Sequence, residues 1–340
     1  MFNSSFHTIQ TIGQGASTST LFPNGHNRLI YGDCLAVMQE LRPYSFDLIY
    51  IDPPFFSGNE RRLQHSQKRG PSYDDTWEDG IQEYLDWMET RLVLMRDLLK
   101  LDGALFVHLD WHAVHYVKVM LDRLFGMRNF QNEFIWYYSG GGASRTHFAR
   151  KHDTILYYTR SVKSWKFYAD RVREPYKWTD GQLRADGSER DLERGKLPDD
   201  VWQQHALLPW AKESLGYPTQ KPLELLTRLL LATTDTSDVV GDFFCGSGTT
   251  AAAAQQLGRR WVTTDDSRAA ICLAAERLAE EVAPGCLTFT EQRSRARAHE
   301  RYERILAEEE RVGVDDKTLA ATSLSLQSAT GFTVERLLVP

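Results

Sequence analysis

Cysteine is scarce in this chain of 340 residues. Cys34, Cys245, Cys272 and Cys286 are the only four, and no two form a CxxC pair. That spacing argues against a zinc knuckle and against a disulfide framework, so neither a metal nor an oxidising compartment is expected. Long apolar runs are missing too, and none approaches the length needed to cross a membrane. The first 25 residues are rich in Ser and Thr but lack the basic start and apolar centre of a signal peptide. A cytoplasmic protein without membrane contact is the expectation. Positive charge is not in excess: the net charge is -6, so total charge announces no nucleic-acid partner, and the placement of the charges has to decide.

Placement is more informative. Between Arg145 and Lys177 stand nine Lys or Arg residues against three acids, interleaved with Tyr157, Tyr158, Trp165, Phe167, Tyr168 and Tyr176. Such a stretch is a candidate phosphate-facing surface. A hydrophobic content of 42% is enough for one large domain carrying an insertion.

The elements read as alternating strands and helices. RLIYG at 28–32 is a short strand, followed by helical spacing from Cys34 to Leu41. FDLIYI at 46–51 is continuously apolar, as in a strand buried on both faces of a parallel sheet, and two prolines stop it at Asp52-Pro53-Pro54-Phe55. A helix over 81–99, a strand over 104–109 and a helix over about 113–124 follow. Then FIWYY at 134–138 and TILYYT at 154–159 read as antiparallel strands around Gly140-Gly141-Gly142. Residues 160–215 turn polar and irregular. Regularity returns with a helix over 222–233, a strand over 238–244, a Gly-rich turn, a helix over 249–257 and a strand over 261–264 ending at Asp265. The tail from Arg293 opens as a charged helix of alternating sign and points to no chemistry.

Two motifs carry chemistry. In Phe244-Cys245-Gly246-Ser247-Gly248-Thr249, small residues stand where a strand hands over to a helix, so a ligand can approach the backbone and meet the amides of the helix N-terminus. The turn departs from a dinucleotide fingerprint, because Ala251 stands where the third glycine would be. Asp265, at the next strand tip, is placed to accept hydrogen bonds from ribose hydroxyls. In the tetrad Asp52 to Phe55, a carboxylate and the Pro53 carbonyl can accept N–H bonds from an exocyclic base amine and make it a better nucleophile. Phe55 offers a face for a flipped base. Attack on a sulfonium methyl could then be direct, with no covalent enzyme intermediate.

The tetrad after FDLIYI, the later FCGSGTT turn, and Tyr217-Pro218-Thr219-Gln220-Lys221-Pro222 just before it resemble, in order and spacing, the β-class DNA amino-methyltransferases of restriction-modification systems, which act on adenine N6 or cytosine N4. The resemblance covers about residues 27–278. It implies an α/β fold, a doubly wound Rossmann-like sheet, circularly permuted, with an inserted target-recognition region. It divides the chain into a catalytic half at 27–138, a final core strand and target-recognition insertion at 139–215, a cofactor half at 216–292 and a charged extension at 293–340. It implies S-adenosyl-L-methionine as cofactor and duplex DNA as partner, with a cognate restriction endonuclease and a homodimer as further partners. Asp52, Pro53, Pro54 and Phe55 would be catalytic. Asp242, Phe244, Cys245, Gly246, Ser247, Gly248 and Thr249 would line the cofactor, Asp265 would hold its ribose and Asp33 would lie beside its adenine. Asp33 reads equally as a helix N-cap. Thr219 and Lys221 would help bind the methionine carboxylate, although Pro222 also suits a plain helix start.

Two departures stand out: Phe243 replaces a proline common among relatives, and DPPF replaces the commoner DPPY. Asp at the first tetrad position favours adenine, since Ser or Thr is frequent there in cytosine-N4 enzymes. Rival readings are a cytosine-N4 enzyme, a methyltransferase of RNA or of protein glutamine, a non-catalytic DNA-binding relative and, on the Gly-rich turn alone, a nicotinamide-dependent oxidoreductase. The loop at 57–72, with Arg61, Arg62, Lys68 and Arg69, could close over DNA or be a solvated charged loop.

Overall fold

The computed structural model describes residues 6–12, 21–22, 27–58, 75, 77–138, 144–176, 193–203, 207, 211–282 and 332–337. The triple glycine at 140–142, the basic residues of the 57–72 loop, part of the insertion and the charged helix from Arg293 lie outside the described residues.

One ten-stranded sheet organises the chain. In chain order the strands are β1 (Phe6–Ile12), β2 (Asn27–Tyr31), β3 (Phe46–Ile51), β4 (Leu99–Leu109), β5 (Phe130–Tyr137), β6 (His152–Thr159), β7 (Val201–Gln203), β8 (Val239–Asp242), β9 (Arg260–Asp265) and β10 (Phe332–Leu337). Their spatial order is β1-β10-β2-β9-β8-β3-β4-β6-β5-β7. From β10 to β4 every pairing is parallel, and β6 then runs antiparallel to both β4 and β5.

Helices cover both faces because the central strands are apolar on both. In β3 every residue is buried: Leu48 and Tyr50 pack toward helices α4 (Leu223–Thr233), α5 (Thr249–Gln256) and α6 (Arg268–Val282), while Phe46, Ile49 and Ile51 pack toward α1 (Cys34–Gln39), α2 (Ile81–Leu98) and α3 (Val114–Phe125). A continuous apolar run in a parallel strand has this two-sided burial as its cause. Truncating one such residue, as in Leu48→Ala, costs about 2–5 kcal/mol.

Three features depart from the sequence reading. The insertion is not wholly irregular, since β7 extends the sheet beside β5, and Glu174 and Lys196 form a bridge. The strand read over 238–244 ends at Asp242, which leaves Phe243 and Phe244 in the turn. Part of the C-terminal extension belongs to the sheet: β10 lies between β1 and β2, where the Glu335 carboxylate accepts from Arg28 Nε at 3.0 Å and from Nη2 at 2.5 Å, and both side chains are buried. Its missing signal is plain, because a six-residue strand far from its partner β2 in sequence has only local composition to reveal it.

Candidate active site

Parallel strands end on one edge of a sheet, and ligands of open α/β sheets bind in the crevice beyond those ends. Here five neighbouring tips each carry an acid: Asp33 beyond β2, Asp265 on β9, Asp242 on β8, Asp52 beyond β3 and Asp110 beyond β4. The two functional motifs, distant in sequence, therefore meet on adjacent strands β3 and β8.

Asp52 is held on one side only. The Lys221 ammonium contacts its Oδ2, while Oδ1 is buried without a hydrogen-bond partner. A buried carboxylate oxygen in that state is costly unless something else supplies donors. Phe55 lies against His108, ring centroids 6.1 Å apart and 25° from parallel, with Lys221 Nζ 5.4 Å from the Phe55 centroid. The Tyr84 hydroxyl donates to the Pro54 carbonyl at 2.9 Å. Phe56 has a left-handed φ of 60°, and the loop is fixed there by Asp75. The buried carboxylate of Asp75 accepts from Phe56 N at 3.0 Å, Ser57 N at 2.6 Å, Ser57 Oγ at 2.7 Å and Trp77 Nε1 at 3.1 Å.

Beneath Phe55 is a polar layer inside the core. His108 is fully buried, with Nδ1 2.8 Å from the Tyr50 hydroxyl and Nε2 3.3 Å from Asp153 Oδ2, and Tyr138 donates to Asp153 Oδ1 at 3.1 Å. The contact with Asp153 needs Nε2 as the donor. Burial pushes the Asp153 carboxyl up, but the hydrogen bond and charge of His108, with Lys221 and Tyr138, hold it below the usual carboxylate range.

On β8 and β9 the Gly-rich turn has the geometry its residues allow. Gly246 has φ +49° and Gly248, the N-cap of α5, has φ +75°. A Cβ at Gly246 would stand 3.0 Å from the Tyr217 ring, and one at Gly248 would stand 2.9 Å from the Ala274 Cβ, so bare backbone is required at both. Asp265 accepts from Gly246 N at 2.8 Å and Ser267 N at 2.9 Å, tying the turn to the tip of β9. Asp242 accepts from Phe244 N at 3.0 Å. Burial raises its carboxyl to about 7 against the hydrogen bonds of Thr250 and Phe244, with Asp52 and Asp265 adding repulsion. Cys245 and Ser247 are buried, and Cys245's thiol is pushed up by that burial. Thr249 Oγ1 donates to the Lys221 carbonyl at 3.3 Å and accepts from Arg277 at 2.9 Å. Lys221 Nζ also lies 3.4 Å from the Thr219 carbonyl.

Asp33 is the N-cap of α1, its Oδ1 accepting from Ala36 N at 3.0 Å, while Oδ2 is paired with Arg91 at 3.1 Å. Arg91 lies 4.0 Å over the Trp87 ring, which in turn packs 5.7 Å from Phe244. A glycine turn at a helix N-terminus, flanked by the Phe244 and Trp87 rings and by the Asp33 and Asp265 carboxylates, suits a ligand with an aromatic base, a ribose and a polar tail.

The structure thus gathers Asp33, Asp52, Phe55, Thr219, Lys221 and the 242–249 turn with Asp265 on one edge. It adds residues that sequence reading missed: Trp87, Arg91, Asp75, Tyr84, His108, Asp110 and Asp153. His108 had the one legible signal, a lone polar residue in the apolar strand ALFVHL. The expected basic face at 145–177 is corrected. Because β6 is antiparallel to β4, with Leu109 opposite Thr154 and Ala104 opposite Thr159, residues before 152 lie at the acidic edge and those after 159 at the other. There Lys166 pairs with Asp47 at 2.7 Å and Asp238 at 2.9 Å, and Arg171 meets the Thr234 carbonyl at 3.1 Å. Tyr157 and Tyr158 are core. Arg145, Arg150 and Lys151 remain beside the site, and Lys177 lies outside the described residues.

Among the described residues no cluster of His, Cys, Asp or Glu could hold a metal ion, and no helix is long and apolar enough to cross a membrane. A family described as DNA methylase matches residues 46–276. The chain is 29% identical over 254 residues to the type II methyltransferase M.HpaI of Haemophilus parainfluenzae, covering 75% of this chain and 74% of that protein. It is 26% identical over 263 residues to the DNA adenine methyltransferase YhdJ of Escherichia coli (strain K12), covering 76% and 85%. In fold it resembles the PvuII DNA methyltransferase (cytosine-N4-specific), with a TM-score of 0.56 at 17% identity over 88% of this chain and 97% of that one.

Proposed function

This chain belongs to the N6/N4 DNA methylase family and is an S-adenosylmethionine-dependent DNA methyltransferase, and we propose that the base it methylates is adenine, at N6, flipped out of duplex DNA. The observation that carries this reading is Asp52 Oδ1, a buried acceptor without a partner at the tip of β3. The exocyclic amine donates to it, and the Pro53 carbonyl takes the second N–H. Both acceptors pull the amine lone pair out of conjugation with the ring. Lys221 balances the Asp52 charge through Oδ2 and leaves Oδ1 to the amine, and Phe55, backed by His108, stacks on the flipped ring. The bound cofactor supplies an electrophilic methyl group. Asp265, Asp33 and the turn at Phe244–Thr249 hold it, with Asp242 and Thr219 beside them.

Adenine is favoured by Asp at the head of the tetrad and by the similarity to an enzyme named for adenine. The same reading keeps 27–138 as catalytic half, 216–292 as cofactor half and target recognition within 139–215. A permuted order, a cognate endonuclease and a homodimer belong to it as well. Expression in a host lacking DNA methylation, followed by single-molecule mapping of modified bases, tests it. One recurring sequence context carrying N6-methyladenine supports the reading, and N4-methylcytosine in that context replaces the base.

A further inference from the structure

Trp111 stands immediately beyond the tip of β4, next to the strand that bears the tetrad, yet its indole is 41% exposed. It is not loose. The Arg150 guanidinium carbon lies 3.7 Å from its ring centroid and the His112 ring centroid lies 3.7 Å away. His112 is fixed in turn by Asp110, whose Oδ1 accepts from His112 N at 2.9 Å and whose Oδ2 lies 2.8 Å from His112 Nδ1. Asp110 also acts electrostatically on Tyr84, the residue that holds the Pro54 carbonyl. The register of β4 with β6 brings Arg150, just before β6, to this rim. Two residues earlier Phe148 is 99% exposed, on a segment that also carries exposed Arg145.

A rigidly braced, exposed aromatic beside a cation, at the mouth of a site for an extrahelical base, has a specific use. A flipped base leaves a gap in the stack, and its neighbours lose stacking that an aromatic side chain can restore at a value of roughly tenfold or more in binding. Arg150 adds a charge for a backbone phosphate. We propose that Trp111, braced by His112 and Arg150, enters the duplex beside the target nucleotide and takes over the stacking that the flipped base leaves, with Arg150 on the adjoining phosphate. This rests on the DNA base-methylation reading above.

The test uses a duplex carrying the mapped target context, with the target base either correctly paired or mismatched. A mismatch lowers the cost of flipping. Trp111→Ala should lower kcat/KM about tenfold on the paired duplex and much less on the mismatched one, with cofactor affinity unchanged. Trp111→Leu keeps apolar bulk without the ring and should give the same contrast, which covers misfolding of the Ala variant. Arg150→Ala should reduce the salt dependence of duplex binding by about one phosphate contact. Equal activity of the Trp111 variants and wild type on both duplexes, or equal loss on both, overturns the proposal. Wild type that methylates no DNA base overturns the reading beneath it instead.

Discussion

Lys221 and Asp52 form a one-sided pair: the ammonium takes Oδ2 of the carboxylate and leaves Oδ1 buried and bare. Methionine-carboxylate binding, the role that resemblance implies for Lys221, does not explain this contact. If the lysine serves Asp52, Lys221→Met leaves a buried charge without its partner and lowers kcat about tenfold or more, with a smaller change in cofactor affinity. Steady-state kinetics beside cofactor titration separates the two effects. A large loss of cofactor affinity at unchanged kcat would assign Lys221 to the cofactor alone.

Asp52→Ala removes the acceptor itself. Methyl transfer should fall by about a hundredfold or more while cofactor affinity stays near that of wild type, because the carboxylate serves the amine. Single-turnover transfer and calorimetric titration measure the two quantities independently.

Asp265→Ala has the opposite signature. Its carboxylate tethers Gly246 N and Ser267 N and is proposed to hold the ribose, so cofactor Kd should rise about tenfold or more. A titration that shows no weakening removes the ribose assignment.

Asp75 touches neither the proposed base nor the cofactor, but four donors of the loop after the tetrad converge on it. Asp75→Ala should cost about 1–3 kcal/mol of stability and lower kcat more than it changes cofactor binding. Urea unfolding with kinetics on the same preparation checks both, and intact kcat would mean that the loop keeps its shape without the clamp.

Asp242 gives a pH signature. Its carboxyl rises from 3.8 to about 7 through burial, so the folded chain holds this proton more tightly than the unfolded chain does. Its contribution to stability is complete below about pH 4 and is lost as pH climbs to about 7. Asp242→Asn, which keeps an acceptor for Phe244 N, should flatten that decline. Unfolding free energies between pH 4 and 8 measure it, and parallel curves for the two proteins would contradict the assignment.

The central sheet was legible because its strands carry their own signal. FDLIYI is apolar on both faces and two prolines end it, so β3 and its tip could be placed from sequence, and the glycines of 246–248 marked the turn after β8 in the same way. What stayed hidden depends on contacts between distant segments. Asp75 is an ordinary loop acid until the chain folds it against Phe56 and Ser57. Nothing local in the helix sequence ties Arg91 to Asp33 or Trp87 to Phe244; they meet only in the fold. The basic run at 145–177 misled for a topological reason, since β6 passes through its middle and sends the two ends to opposite edges of the sheet.

The most direct test of the account is mass analysis of nucleosides from duplex DNA incubated with the protein and methyl-labelled S-adenosylmethionine. The account predicts label in N6-methyladenine, lost with Asp52→Ala. Label in N4-methylcytosine, or N6-methyladenine formed at undiminished rate by Asp52→Ala, would contradict it.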